Sequence, residues 1–221
     1  ASAQTAAQHG EAYCFAQPRP ATAGDVSPAR DARSIIAYKA CTRRLRTQVT
    51  HTLGLAFHPL MTPLVSEGYE PGCIGRIAQL HATYYTATHG FGVEFEAKVA
   101  RELSEFCLGY NKGRDGIWLA RSPEVEGSVI LDGSKAHESG AHLRWFITAE
   151  KLRGHGIGRS LLAQALAFAD ARNYRKTYLW TFEGLGAARH LYEACGFKLV
   201  YQSPGKQWGT VVNEQHFERE A

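Results

Sequence analysis

The residues whose types and spacing best suit chemistry lie together: Arg153, Gly154, His155, Gly156, Ile157, Gly158, Arg159 and Ser160. Glycines at alternate positions remove the Cβ atoms that would hold a ligand off the backbone. If a helix starts within this run, its first turn offers unpaired N–H groups and a partial positive charge, with an arginine on either side. Such a turn is a cradle for phosphate or pyrophosphate. Two common cradles do not fit. A dinucleotide fingerprint beginning at Gly154 needs its third glycine where Arg159 stands, and a P-loop needs a lysine directly before Ser160.

A glycine turn binds only where flanking elements hold it in place. Ahead of it, 142–148 is rich in aromatic and β-branched residues over a strand-like length. Behind it, Ile157, Leu161, Leu162, Ala165, Phe168 and Ala169 recur on one helical face, which must bury against a sheet. Further on, 177–181 reads as a buried strand. Ala187, Ala188, Leu191, Tyr192 and Cys195 form a helical stripe closed by Gly196, and 197–201 reads as another strand. On the strand before the glycines, His142 has an ordinary pKa near neutrality and shares a face with Arg144 unless a bulge intervenes. The pair offers either a base or a contact for an acidic group.

Arg153-x-x-Gly156-x-Gly158, set between a strand and an amphipathic helix, resembles the acetyl-coenzyme A signature of the GNAT family of N-acetyltransferases. The string from Ala188 to Phe197 is similar to that family's A-x-x-L-Y-E-x-x-G-F block, and the two blocks stand in the family's order, one strand apart. The resemblance runs from about residue 71 to the end of the chain. Within it, 71–81, Phe91-Gly92, Leu179-Trp180-Thr181 and Trp208-Gly209-Thr210 look like the acetyltransferase half of proteins that fuse a MarR-type regulator to this fold.

The resemblance implies an α/β (α+β) fold with a mixed, mostly antiparallel central sheet and flanking helices. The sheet would splay between its fourth and fifth strands, here 142–148 and 177–181. It implies acetyl-coenzyme A as cofactor and direct transfer of an acetyl group, in a ternary complex, to a primary amine. The acceptor would be a small molecule such as an amino acid derivative, polyamine or antibiotic. In that scheme the turn from Arg153 through Gly154, His155, Gly156, Ile157, Gly158 and Arg159 to Ser160 holds the pyrophosphate, and the backbone of Trp145, Phe146 and Ile147 holds the pantetheine arm. Tyr192 protonates the leaving sulfur, His142 is the candidate base, and Glu94, His81, Tyr85 and Arg144 face the acceptor. The family pattern is departed from in two places. Leu185 replaces a frequent asparagine, and Ala141, His142 and Arg144 stand where histone-acetylating members have a glutamate. Two alternatives therefore stay open, an acyl-coenzyme A-binding regulatory module without catalysis and a protein N-acetyltransferase.

The remaining sequence frames this core. The 221 residues are 44% hydrophobic, as expected of a globular chain. A net charge of +4, spread rather than blocked, gives no case for a nucleic-acid or membrane partner. Residues 1–70 are expected as an N-terminal extension: a Pro- and Ser-containing linker over 1–32, then a helix over 32–53 exposing Arg43, Arg44 and Arg46. Residues 71–221 form the acetyltransferase-like unit, opening with a strand at 73–78, helices at 80–88 and 94–108, and strands at Gly116–Arg121 and 125–131. The odd set Cys14, Cys41, Cys73, Cys107 and Cys195 lacks C-x-x-C spacing, which predicts reduced thiols and no metal. No secretory leader or membrane span is read, so a cytoplasmic location is expected, with a homodimer as a candidate assembly.

Overall fold

The computed structural model describes residues 64–221. The expected linker over 1–32, the basic helix over 32–53, Cys14 and Cys41 lie outside them. The described elements are β1 (Leu64–Glu67), α1 (Cys73–His89), α2 (Val93–Leu108), β2 (Gly116–Arg121), β3 (Val125–Asp132), β4 (Ala141–Thr148), a 3-10 turn (Glu150–Leu152), α3 (Ile157–Ala171), β5 (Lys176–Phe182), α4 (Gly186–Ala194), β6 (Lys198–Gly205) and β7 (Val212–Glu220). They build a seven-stranded sheet in the order β1-β2-β3-β4-β5-β7-β6. Its neighbours pair antiparallel except for β4 and β5, which run parallel. This is the expected mixed sheet, with the helices on both faces.

The chain's opening differs from its sequence reading. The stretch 73–78 is not a strand but the first turns of α1, continuous with the helix expected at 80–88. Cys73, Ile77 and His81 are buried at a spacing of four, which is one helical face, while Gly72 and Gly90 close the helix at both ends in the left-handed conformation. The first strand is Leu64–Glu67, ahead of residue 71, and it pairs with β2 from Leu64↔Arg121 to Glu67↔Trp118.

Alternating side chains give the sheet two cores. Ile117, Leu119 and Ile130 pack under α1 and α2 with Ile77, Phe95 and Leu103. Trp118, Val129 and Leu131 pack on the opposite face with Leu161, Leu162 and Ala165 of α3, and Tyr192 of α4 joins them. No helix among the described residues is long and apolar enough to cross a membrane.

Two irregularities of β4 position the site. Its pairing with β3 shifts register between Ser128 and Ile130, and Trp145 sits at φ 45°, the left-handed region that a bulky residue occupies only under constraint. Ser128 Oγ donates to the Trp145 carbonyl at 2.7 Å within the buried sheet, which holds this bulge. The extra residue keeps Trp145 on the α1/α2 side and turns Phe146 toward α3 and α4. Pairing with β5 is confined to Ala141↔Thr177 and His142↔Tyr178, after which the two strands part. That parting is the expected splay.

Candidate functional site

The splay leaves a groove of about 640 Å³ between the end of β4, the glycine turn and the start of α4. Phe146, Ile147 and Thr148 form one wall, Arg153, Gly154, Gly156, Gly158 and Arg159 the next, and Leu185, Ala188, Leu191 and Tyr192 the third. Gly156 is the N-cap of α3, at φ 75°, and no side chain caps the helix. The N–H groups of Ile157, Gly158 and Arg159 therefore face outward without a helical partner, and the Ser160 N–H is the first to bond back, to Gly156 O at 3.0 Å. At Gly158 a Cβ would stand 3.4 Å from Phe146 Cζ and 3.6 Å from Leu191 Cδ2, ordinary contact distances, so this is where α3, β4 and α4 converge. Arg153 holds its guanidinium 4.6 Å from the Tyr84 ring centre, a cation–π contact that aims the charge at the groove. His155 gives its Nδ1–H to the Arg153 carbonyl at 2.9 Å and, with Ser160, stays exposed outside the groove.

On the other side of the same opening lies a cavity of about 400 Å³ beneath α1 and α2. Of the residues expected to face the acceptor, His81, Tyr85 and Arg144 line it, and so does His142, the candidate base. Glu94 does not. It is exposed at the start of α2, against the backbone at Gly209, so α2 supplies Lys98 and Glu102 instead. Glu102 pairs with both Lys98 and Arg144, and Arg144 Nη1 lies 3.8 Å from Asp132. Trp145 lines this cavity rather than the groove, whereas Phe146 lines both. Tyr85 and Tyr192 are the other residues common to the two spaces.

Titration of these groups is dominated by burial. His81 is lowered to about 4 by desolvation, partly offset by its hydrogen bond to the Ile77 carbonyl at 2.9 Å. Because a carbonyl only accepts, Nδ1 carries the proton and Nε2 presents a lone pair. His142 is lowered to about 3 by burial, then by the Arg144 and His216 charges, and its ring stacks on Tyr178 at 4.4 Å. Tyr192 is pushed well above the ordinary phenol value, first by burial and then by Tyr85. Tyr85 is also raised, by burial and the neighbouring Tyr84 against the opposing effect of Arg153. At neutral pH the site thus holds uncharged imidazoles and protonated phenols. Among the described residues, no group of His, Cys, Asp and Glu is arranged to hold a metal ion, and Cys73, Cys107 and Cys195 are free thiols.

Several lining residues lay beyond the sequence reading. Lys98 and Glu102 are an i, i+4 pair beside the apolar stripe Phe95–Val99–Leu103, a pattern that also fits a solvated helix edge. Trp208, in the β6–β7 connection, and Phe182, at the end of β5, reach the cavity only through the fold.

Comparison with known proteins adds independent support. A family model described as the Acetyltransferase (GNAT) family matches residues 76–197. N-alpha-acetyltransferase 40 of Saccharomyces cerevisiae is 32% identical over 102 residues, covering 42% of this chain and 36% of that protein. N-acetyltransferase 8B of Homo sapiens is 24% identical over 155 residues, covering 68% of each. The chain thus spans little more than a third of the yeast relative. A solved ribosomal-protein-alanine N-acetyltransferase from Brucella melitensis superposes with a TM-score of 0.57 at 17% identity, over 72% of this chain and 99% of that one, a likeness of fold.

Proposed function

Because the chain belongs to the acetyltransferase (GNAT) family, we propose that it transfers an acetyl group from acetyl-coenzyme A to the primary amine of a small molecule, by direct attack in a ternary complex. The observation that carries this reading is the meeting of groove and cavity at Phe146, Tyr85 and Tyr192, over the parting of β4 and β5. The residues present fit the cofactor. An uncapped helix start with two arginines suits a pyrophosphate, and Leu185, Ala188 and Leu191 give an apolar wall for an extended arm. Leu185 contributes packing there and no polar contact.

In this scheme the acceptor nitrogen forms its bond to the acetyl carbon as the carbon–sulfur bond breaks. Tyr192 gives its hydroxyl proton to the departing sulfur and is reprotonated from solvent, and its raised pKa keeps that proton in place across the working pH range. The backbone of the β4 bulge, free of β5 beyond His142, supplies donors for the charge that develops on the carbonyl oxygen. His142, at about 3, is a weak proton acceptor at neutral pH, and so is His81. The amine therefore enters as the free base, the one proton it sheds on attack leaves through water in the cavity, and the two imidazoles act as hydrogen-bond acceptors that orient it.

A second reading, acetylation of a protein N-terminus, draws on the relative named N-alpha-acetyltransferase 40 and on the Brucella protein. Titration calorimetry with acetyl-coenzyme A, followed by thiol release against a panel of amines and peptides, tests both. Binding with amine-dependent release is the expected outcome. Absence of binding would overturn the reading of the glycine turn.

A further inference from the structure

Resting on that reading, we infer that the acceptor is a primary amine carried on an aromatic skeleton without a second positive charge, rather than a polyamine or a peptide. The cavity opposite the cofactor groove has unusual walls. Phe95, Trp145, Phe146, Phe182 and Trp208 line it, with Trp180 at the rim. These rings are braced rather than loose: Phe182 lies 5.5 Å from Trp208 and 5.6 Å from Tyr85, and Phe95 lies 5.2 Å from Tyr85. Its volume of about 400 Å³ is near the small end of ligand pockets, roughly 300–1,000 Å³. A flat ring finds edge and face partners on several sides.

Charge and volume weigh against the competing classes. Glu102 is the single carboxylate lining the cavity among the described residues, and Lys98 and Arg144 already share it. A polyamine would bring a further ammonium group to a space whose nearby carboxylates, Glu102 and, behind Arg144, Asp132, are already paired with Lys98 and Arg144, so that none is free to receive it. An aromatic wall can also hold a cation, but the Trp145 face is taken: the Arg144 guanidinium lies 4.0 Å from its ring centre. A space of about 400 Å³ holds one ring-bearing amine but only the first residue of an extended peptide.

The test compares 2-phenylethylamine, tryptamine, spermidine and a short peptide with a free N-terminus as acceptors for the full chain, reading thiol release, with acetyl-coenzyme A affinity measured separately. The expected result is a kcat/KM for the two aromatic amines at least about tenfold above the others. Trp208→Ala should raise the KM for tryptamine about tenfold and leave acetyl-coenzyme A affinity unchanged, whereas a variant that merely misfolds would lose both. Equal or better turnover of spermidine or the peptide overturns the inference. So does binding of acetyl-coenzyme A without turnover of either aromatic amine. Failure to bind acetyl-coenzyme A is a different result, since it removes the underlying transferase reading as well.

Discussion

His81 should give the folded protein a measurable sensitivity to acid. Its imidazole is buried in α1 and lowered from 6.5 to about 4, so between those values the unfolded chain binds a proton that the folded one refuses. Stability therefore rises with pH through this window. The contribution is complete above about 6.5 and is lost as pH falls toward 4. The full shift corresponds to about 3 kcal/mol, and at pH 5 about 2 kcal/mol of it is already gone. His81→Asn keeps a donor within reach of the Ile77 carbonyl but does not titrate. Whatever the substitution costs at pH 8, the stability gap between wild type and variant should shift by about 2 kcal/mol in the variant's favour at pH 5. Urea unfolding followed by tryptophan fluorescence, repeated from pH 8 to pH 5, reads this directly. His142 titrates in the same direction in both proteins and cancels from the difference. Parallel stability profiles would refute the reasoning, because they would mean that His81 is as easily protonated in the fold as in water.

Other outcomes follow from the site. Tyr192→Phe removes the hydroxyl at the junction of the two spaces, and kcat should fall about 100-fold with acetyl-coenzyme A affinity within about twofold, as read by calorimetry. An unchanged kcat would remove its role as acid. Gly156→Val forces a β-branched residue to φ 75° at the start of α3, so acetyl-coenzyme A binding should weaken at least tenfold while α3, buried along Leu161 and Ala165, stays folded by circular dichroism. Ser128→Ala strips the Trp145 carbonyl of its buried donor at the bulge. It should cost about 1–3 kcal/mol in urea unfolding and lower kcat more than it changes the KM for acetyl-coenzyme A. A stable variant with full kcat would separate the bulge from the chemistry.

The sequence made the second half of the domain legible because its signals were local. The stripe from Ile157 to Ala169 and the block around Tyr192 became α3 and α4, and the strand between them became β5. The first half was harder. Cys-Ile-Gly-Arg-Ile-Ala at 73–78 carries isoleucines that favour a strand and a glycine that disfavours a helix, but α1 is fixed by burial of Ile77 and His81 against the sheet, a tertiary effect. β1 has only four residues, too few to show a period. Within the site, the glycine turn announced itself by composition, whereas the β4 bulge did not: no glycine marks position 145, and its left-handed conformation is imposed by the Ser128 bond and the register shift. Glu94 and Glu102 are both acids on α2, and only packing shows that Glu102 lines the cavity while Glu94 does not.

The two-residue pairing of β4 with β5 also bears on how the molecule responds to whatever fills it. A sheet zipped along its length would transmit little from a bound ligand, but here β1 to β4 and β5 to β7 are joined by hydrogen bonds at one end only. A molecule seated in the opening touches both halves and supplies the cross-links the strands themselves lack. Occupancy is thereby converted into rigidity: backbone amides along the facing edges of β4 and β5 should exchange with solvent fastest in the empty protein and slow together on saturation, with a rise in melting temperature that follows ligand concentration.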